Sequence, residues 1–533
     1  MVPSMGFTPK SAEWVPCPRL RGHDFCAGAK PHAHGKRGHG TLTLFLRMLA
    51  LLLTCLCVAP RAVLCEEQPP DAVALGAQRE LFVDHHLIDR MDGAQLQFHP
   101  PHDEGPVLAF DKPWEGQFCG YATVIHDRTD PQAAKYRLYY RGMPGAGHDG
   151  SEGEVTCYAE SGDGIHWTKP ELGLFEVGGS RQNNVVLAGA APFSHNFSPF
   201  LDSRKDVAAD VRFKALAGTR QTGLVAFASA DGLHWRKLRD EPVITEGAFD
   251  SQNVACWSPA EQEYVCYFRT FKDDIRRISR TTSPDFLHWD APELMEYRHA
   301  GQPAPLEHLY TNQTQPYFRA PQLYVATAAR FMPNRQVLTD EEAAAIQVHP
   351  SYFKDTSDAV LLTTRGGNHY DRSFLEAFIR PGIGARNWVS RTNYPALGIV
   401  QTGPSEMSVY VQHDYGQPTA HLERYALRLD GFASLSAGFA GGEVLTRPLT
   451  FTGQSLLLNF ATSAAGSVRV EIQDASGKPL PGYTLAEAGE LIGNEIERPY
   501  RWSAGTSCAS LAGQPVRLRF VLKDADVYAL RFE

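Results

Sequence analysis

Apolar and polar residues alternate in short runs along most of the chain, and almost nowhere at the 3.6-residue spacing of a helix. Tyr136 to Tyr140, Val155 to Ala159, Leu224 to Ala228, Tyr264 to Phe268, Leu323 to Ala328 and Met407 to Val411 are brief runs rich in aromatic and β-branched residues. Runs of that length and composition predict strands. Only Thr339 to Gln347, which opens on an acidic turn, predicts a helix. The strands recur as a unit: an inner strand with a small or amide residue, two strands rich in Tyr, Val and Leu, then a turn close to Ser-x-Asp-Gly-x-His-Trp. That turn stands at Ser161 to Trp167, Ser229 to Trp235 and Ser283 to Trp289, with degenerate copies at Thr364 to Tyr370 and Leu429 to Phe432.

A four-strand unit cannot bury its own faces, so its copies must pack against one another. Five copies predict an all-β chain, with a five-bladed β-propeller followed by a C-terminal antiparallel β-sandwich. The inner strands are expected at Cys119 to Ile125, His195 to Phe200, Asp250 to Trp257, Tyr310 to Phe318 and Arg391 to Val400. Pro106-Val107-Leu108 resembles Pro242-Val243-Ile244, so the N-terminal segment is expected to supply the outer strand of the last blade and close the ring. The turn itself reads as scaffold. Its Asp accepts backbone amides, its Gly takes positive φ, and its Trp fills the gap between blades. The histidines of the turns, His166, His234, His288 and His369, belong to the same class. From Glu443 the alternating runs Ser455 to Phe460, Ser467 to Ile472, Val516 to Leu522 and Tyr528 to Phe532 predict the sandwich. The expected divisions are an N-terminal extension and signal peptide over 1–65, a linker over 66–79, the propeller over 80–437 and the sandwich over 441–533.

Residues 1–40 are rich in His, Gly, Pro and basic residues and lack any core-forming period. Thr41 to Ala59 is predominantly apolar, and Arg47 leaves a clean run of only Met48 to Ala59. That is too short for a bilayer span, which takes roughly 20 residues. A secretory leader cleaved near Ala62 or Cys65 is expected, with a periplasmic or extracellular product and no stable membrane insertion after cleavage. Five of the ten cysteines fall in that leader region. The others, Cys119, Cys157, Cys256, Cys266 and Cys508, form an odd set without metal-ligand spacing, read as buried thiols with a Cys256–Cys266 pair as the alternative. A net charge of −9 over 533 residues argues against a nucleic-acid surface.

Propeller inner strands converge on an axis, and the loops leading into them gather carboxylates from distant positions. Glycoside cleavage needs two such groups, one to protonate the leaving oxygen and one to activate water or attack carbon. The candidates are Glu115, Asp250 and Glu307. Around them Asn196, Asn253, Asn312 and Asn393 suit sugar hydroxyls, though a ring of amides bonding the backbone is an equal reading. His195 and Arg391 suit an oxygen or a carboxylate, and Trp114, Tyr310 or Tyr394 a pyranose face. No metal-binding set and no required cofactor are expected, although the central channel could take a structural calcium.

Leu81-Phe82-Val83-Asp84, the repeated turns, Gly247 to Asn253, and Gly441 to Thr446 ahead of a sandwich together resemble a group of secreted bacterial proteins common in planctomycete-type genomes. More broadly the chain resembles the five-bladed propeller glycosidases, which include invertases, levansucrases, arabinanases and β-xylosidases. The resemblance covers roughly residues 80–533. It implies an Asp, an Asp and a Glu on the first three inner strands, acting as base or nucleophile, modulator and acid. This chain departs from that pattern. Glu115 stands for the first, His195-Asn196 replaces the second, and Asp250 sits at the third. The expected function is a secreted glycoside hydrolase of a poly- or oligosaccharide, with Asp250 and Glu307 as the acid/base pair and Glu115 auxiliary. The alternatives are a non-catalytic carbohydrate-binding propeller and a glycoside phosphorylase with His195, Arg319 and Arg391 around phosphate.

Overall fold

The computed structural model describes residues 72–129, 135–145, 149–503, 505 and 507–533. The leader and its cysteines lie outside the described residues. Five antiparallel sheets follow one another along the chain. The first blade is Gly120–Asp127, Lys135–Gly142 and Val155–Ser161, edged by Trp167–Thr168 and Val185–Leu187. The second is Ser198–Leu201, Phe213–Ala217, Val225–Ser229 and Arg236–Lys237. The third is Val254–Ser258, Glu263–Lys272, Ile275–Ser283 and Glu293–Leu294. In the fourth, His308–Tyr317, Ala320–Met332, Thr356–Thr364 and His369–Asp371 are extended in parallel by Glu296–His299. The predicted helix forms as Asp340–Ala345 inside this blade's long loop, with a capping box between Thr339 and Glu342.

The fifth blade closes the ring as predicted. Its inner pieces Tyr394–Pro395 and Val400–Gln401 pair with Glu406–His413, which pairs with His421–Arg428, and the outermost strand is the N-terminal His102–Ala109. Closure also occurs at the axis, where Leu397 N donates to Ala122 O at 2.9 Å and Val124 N to Leu397 O at 2.6 Å. Gly398 makes this seam fit. Its φ is +120°, and a Cβ there would sit 2.2 Å from Val124 O.

The repeated turns are clasps. In the first, Asp163 Oδ1 accepts from Ile165 N and His166 N, both at 2.8 Å, while Oδ2 lies 2.7 Å from His166 Nδ1. Asp231 and Asp285 repeat the pattern. The first two clasps are gripped by a neighbouring blade. Tyr410 of the fifth blade donates to Gly164 O, and Tyr139 of the first blade to Gly232 O. Burial alone would raise these aspartates, but the His and backbone donors outweigh it and hold all three below the usual range. An acid depressed by folding stabilises above its unfolded value, roughly pH 4, and that stability is lost as pH falls. Urea midpoints should therefore drop between about pH 5 and pH 2. Asp231→Asn should remove part of that drop and cost about 1 kcal/mol at pH 7, a low figure because solvent screens a half-exposed carboxylate.

The C-terminal body is a β-sandwich built on two long strands, Leu456–Asp474 and Val516–Phe532, paired along most of their length. Leu518, Phe520 and Leu522 alternate inward against Val468, Val470 and Ile472. The pairing moves the expected boundary at residue 80. Val73–Gly76, Glu80–Leu81, Ile88–Asp92 and Ala94–Phe98 all hydrogen-bond into the sandwich sheet, as does Ala433–Ala437. Phe82 and Leu87, which opened the propeller in the sequence reading, lie in the sandwich core. One strand pair, Val73–Gly76 with Leu449–Phe451, is parallel, so the sandwich is not wholly antiparallel.

Propeller and sandwich share an apolar cluster that includes Leu81, Val83, Tyr317, Leu323, Phe378, Leu429 and Phe432. At its centre Asp430, fully buried, receives hydrogen bonds from Tyr317 OH at 2.8 Å, Asn459 Nδ2 at 3.1 Å and Arg79 Nη1 at 3.3 Å, and forms an ion pair with Arg319 Nε at 3.0 Å. Asp430 belongs to the fifth, degenerate copy of the turn. The five described cysteines are all free thiols, so Cys256 and Cys266 do not pair.

Candidate functional site

The meander of each blade puts the clasps on one face of the ring and the long loops on the other, where the inner strands begin. On the loop face, residues 143–145, 149–154, 188–197, 245–253, 333–355 and 380–393 surround the axis. Between the faces the channel is bridged by amides. Gln252 Nε2 donates to Thr123 Oγ1 at 2.9 Å, and Gln313 Nε2 donates to Gln252 Oε1 at 2.7 Å and Pro395 O at 3.0 Å. A calcium cage needs six to eight oxygens, usually including carboxylates. The residues of this bridge do not fit such an ion.

His195 is the pivot of the loop face. It ends the short helical turn Phe193–His195 and is 1% exposed. Its Nδ1 lies 2.8 Å from Glu154 Oε2, and its Nε2 lies 3.4 Å from Asp250 O and 3.8 Å from Asp149 Oδ1. Glu154 is otherwise occupied, its Oε1 accepting from Gly150 N at 3.0 Å. Burial would raise Glu154, yet the hydrogen bond from His195 holds it below the usual carboxylate range. Arg141 lies 4.5 Å over the Tyr121 ring and donates to Phe118 O at 2.8 Å. Tyr121 in turn donates to Asp250 O at 3.3 Å.

Asp250 stands where the sequence placed it, at the head of the third inner strand, ion-paired with Arg269. Its side chain and that of Asp149 are each 40% exposed. Beside them Arg269, Arg276 and Arg391 surround Tyr310 at 4.8, 5.0 and 5.7 Å. Tyr121 and Arg391 both adopt left-handed backbone, at φ +52° and +59°. For side chains of that size such conformations cost roughly 1–3 kcal/mol each and mark a constrained site. Phe271, 53% exposed, sits next to the Asp273-Asp274 turn of the third blade's hairpin, opposite Arg276.

Other expected site residues are engaged elsewhere. Glu115 is fully buried and takes Tyr140 OH at 2.6 Å, Lys169 Nζ at 2.7 Å and Lys112 N at 2.9 Å. With its oxygens spent on these donors it cannot reach a substrate. Glu307 is held by Arg372 and by Arg330 Nη1 at 2.9 Å. It faces a cleft of about 810 Å³ with Arg335, Arg380 and Trp388, which shares no residue with the cluster around Asp250. Both Glu307 oxygens are thus committed to arginines. Trp114 packs into the first blade and donates to Asn184 Oδ1 at 2.8 Å. Tyr310 and Tyr394 are only 4% and 5% exposed, so neither offers a free face to a sugar.

The asparagines are stitches. Asn196 Nδ2 donates to Gly218 O at 2.8 Å and also reaches Phe249 O and Ser251 O of the next blade's loop. Asn253 bonds Ser251 O at 2.9 Å, Asn312 bonds Tyr370 OH at 2.9 Å, and Asn393 bonds Ser357 O at 2.8 Å. All four are buried; Asn196, Asn253 and Asn393 fit the backbone-bonding reading, whereas Asn312 bonds the side chains of Tyr370 and Thr314. Arg319 lies against Asp430 and Glu497, so the phosphate cradle of His195, Arg319 and Arg391 does not form.

One set unmarked in the sequence could hold a metal ion. His413, His421 and Glu423 on the fifth blade present ligand atoms within 4.8 Å of one another. His421 Nδ1 is fixed by Thr419 O at 2.8 Å, leaving Nε2 toward Glu423. Two imidazoles and one carboxylate suit zinc-like ions better than calcium.

Arg141, Asp149, Glu154, Arg269 and Arg276 were not singled out from the sequence. A signal existed for two of them. Arg141 and Arg269 occupy the loop-face end of the second strand in their blades, as Arg330 does in the fourth, so aligning second strands would have exposed a periodic arginine.

Neither a protein-family model nor a curated protein matches the sequence. Among solved structures the chain is similar to a protein described as a glycoside hydrolase, at 10% identity and a TM-score of 0.41, over 62% of this chain and 92% of that one. It is also similar to an N-acetylgalactosamine deacetylase from F. plautii, at 14% identity and a TM-score of 0.40, over 63% and 96%. The Bombyx mori GH32 β-fructofuranosidase BmSUC1 aligns at 10% identity and a TM-score of 0.38, over 80% and 94%. The strand pairing establishes the propeller independently of these likenesses.

Proposed function

We propose that this chain is a carbohydrate-active hydrolase whose reaction centre is the cluster of Asp250, Asp149 and His195 on the loop face. One observation carries the reading. Asp250 and Asp149 remain substantially exposed beside a single buried imidazole, which Asp149 meets with its carboxylate and Asp250 with its backbone carbonyl while the Asp250 carboxylate pairs with Arg269. Asp250, ion-paired with Arg269, suits the carboxylate that activates water or attacks the anomeric carbon. Asp149 has no Lys or Arg ion-pair partner among the described residues, and suits the acid that protonates the leaving oxygen. His195, backed by Glu154, positions the two.

A binding-only propeller is the second reading, favoured by the locked state of Glu115 and Glu307. Purified protein incubated with a panel of polysaccharides, read by new reducing ends, separates the two. Release from at least one glycan supports the hydrolase; binding without release from any supports the second reading. The leader expected from the sequence would place this activity outside the cytoplasm. No described helix is long and apolar enough to cross a membrane.

A further inference from the structure

The protein carries a net charge of −9, yet its loop-face funnel gathers four guanidinium groups, from Arg141, Arg269, Arg276 and Arg391. Several arginines elsewhere on the blades are neutralised, Arg330 by Glu307 and Asp358, Arg280 by Glu261, and Arg424 by Glu406 and Glu104. Others, such as Arg128, Arg277 and Arg386, spend donors on neutral oxygens. In the funnel only Arg269 has a carboxylate partner, Asp250, among the described residues. Arg141 spends its donors on Phe118 O and Tyr415 OH and leans on His195. Among the described residues neither Arg276 nor Arg391 has a carboxylate or a backbone carbonyl accepting from the guanidinium, and the polar contact of Arg276 Nη1 is a long one, 3.4 Å to His308 Nδ1.

What holds those two is aromatic. Arg391 lies 4.9 Å from the Tyr352 ring and 5.7 Å from Tyr310, and its one side-chain hydrogen bond, to Tyr352 OH, is long at 3.4 Å. Arg276 lies 4.9 Å from Phe331, 5.0 Å from Tyr310 and 5.4 Å from Phe271. Stacking fixes the plane of a guanidinium but leaves its in-plane N–H groups free to donate. Both side chains are only partly buried, so those donors can meet a ligand. A stacked fork of this kind matches a planar or tetrahedral oxyanion and makes two parallel hydrogen bonds to it. A neutral sugar would leave two charges desolvated and unpaired as it bound, which is unfavourable.

We infer that Arg276 and Arg391 form an anion-recognition subsite beside Asp250, and that the glycan bound in the funnel bears a carboxylate or a sulfate group. The inference rests on the funnel being the carbohydrate site proposed above, and it adds the substrate class. Uronic acids and sulfated sugars share this chemistry.

The test is calorimetric titration of the full-length protein at low and moderate salt. The ligands are an oligogalacturonide, its methyl ester, a sulfated galactan oligosaccharide, a neutral oligosaccharide and inorganic phosphate. At least one of the two acidic oligosaccharides should bind tenfold or more tightly than the neutral ligands and weaken as salt rises. If it is the uronide, esterification should remove that advantage. Arg391→Gln and Arg276→Gln should each lower that affinity tenfold or more with an unchanged thermal midpoint, and the rim variant Arg236→Gln should not. Two variants guard against one that fails to fold, and Arg391→Lys, which keeps the charge without the fork, should recover only part of the loss. Equal binding of ester and acid without any sulfate preference, binding of phosphate alone, or no binding by any acidic ligand would each overturn the inference. Acidic-ligand binding without chain release leaves the subsite standing and removes the hydrolase reading. Release from glycans irrespective of charge does the reverse.

Discussion

Asp250→Asn is expected to cut turnover of a glycan substrate by about 10²–10⁴-fold, the range typical for loss of a positioned acid or base. The substitution is nearly isosteric and the side chain is 40% exposed, so folding should survive. Arg269, 2% exposed, would lose its ion-pair partner but keep its contact with the Tyr310 ring at 4.8 Å. The loss should therefore appear in kcat more than in substrate affinity. Reducing-end assays beside thermal midpoints decide the matter. Unchanged turnover in a folded variant would remove Asp250 from the reaction. Asp149→Asn should behave similarly if the two carboxylates share the work, and the stereochemistry of the product would then report their separation.

The second large effect is on stability. Asp430→Ala should lower the unfolding free energy by about 3–5 kcal/mol, because it leaves buried cationic groups without their counter-charge. Arg79 and Arg319 converge on this carboxylate, and Tyr317 and Asn459 donate to it, inside the apolar cluster that joins sandwich to propeller. Asp430→Asn should fall between, since its remaining oxygen still accepts from Tyr317 OH. Urea unfolding followed by far-UV circular dichroism measures both. A change below about 1 kcal/mol in the alanine variant would show that the two arginines find other partners.

The propeller was legible because its packing problem recurs. Every blade must fasten its third and outer strands, so the Asp and Trp of the clasp return at regular intervals and mark the inner strands. The sandwich boundary was not legible, because Glu80 and Leu81 read as ordinary strand residues and their partners Leu530 and Ala529 lie at the other end of the chain. Of the candidate site, Asp250, His195 and Arg391 were legible in the sequence. Glu115 looked like a free loop acid, and nothing in its neighbourhood announces that Tyr140 and Lys169 enclose it. The asparagines carried the right residue type for sugars, yet Asn196 and Asn393 tie neighbouring blades together and Asn253 and Asn312 bond within their own. Asp149 and Glu154 sit in a loop between second and third strands whose sequence does not recur in the other blades, so repetition could not point to them.

The closing strand His102–Ala109 and the anchoring pair Arg79 and Asp430, 351 positions apart, also govern how the protein can be made. At a synthesis rate of roughly 5–20 residues per second, the N-terminal strands wait on the order of tens of seconds for partners not yet translated. The middle blades can form meanwhile from neighbouring segments, whereas the last blade and the sandwich complete only when the C-terminus arrives. A chain stopped anywhere before the final strand Val516–Phe532 would carry exposed strand edges at both ends of its folded part. Full-length synthesis is thus a checkpoint written into the topology.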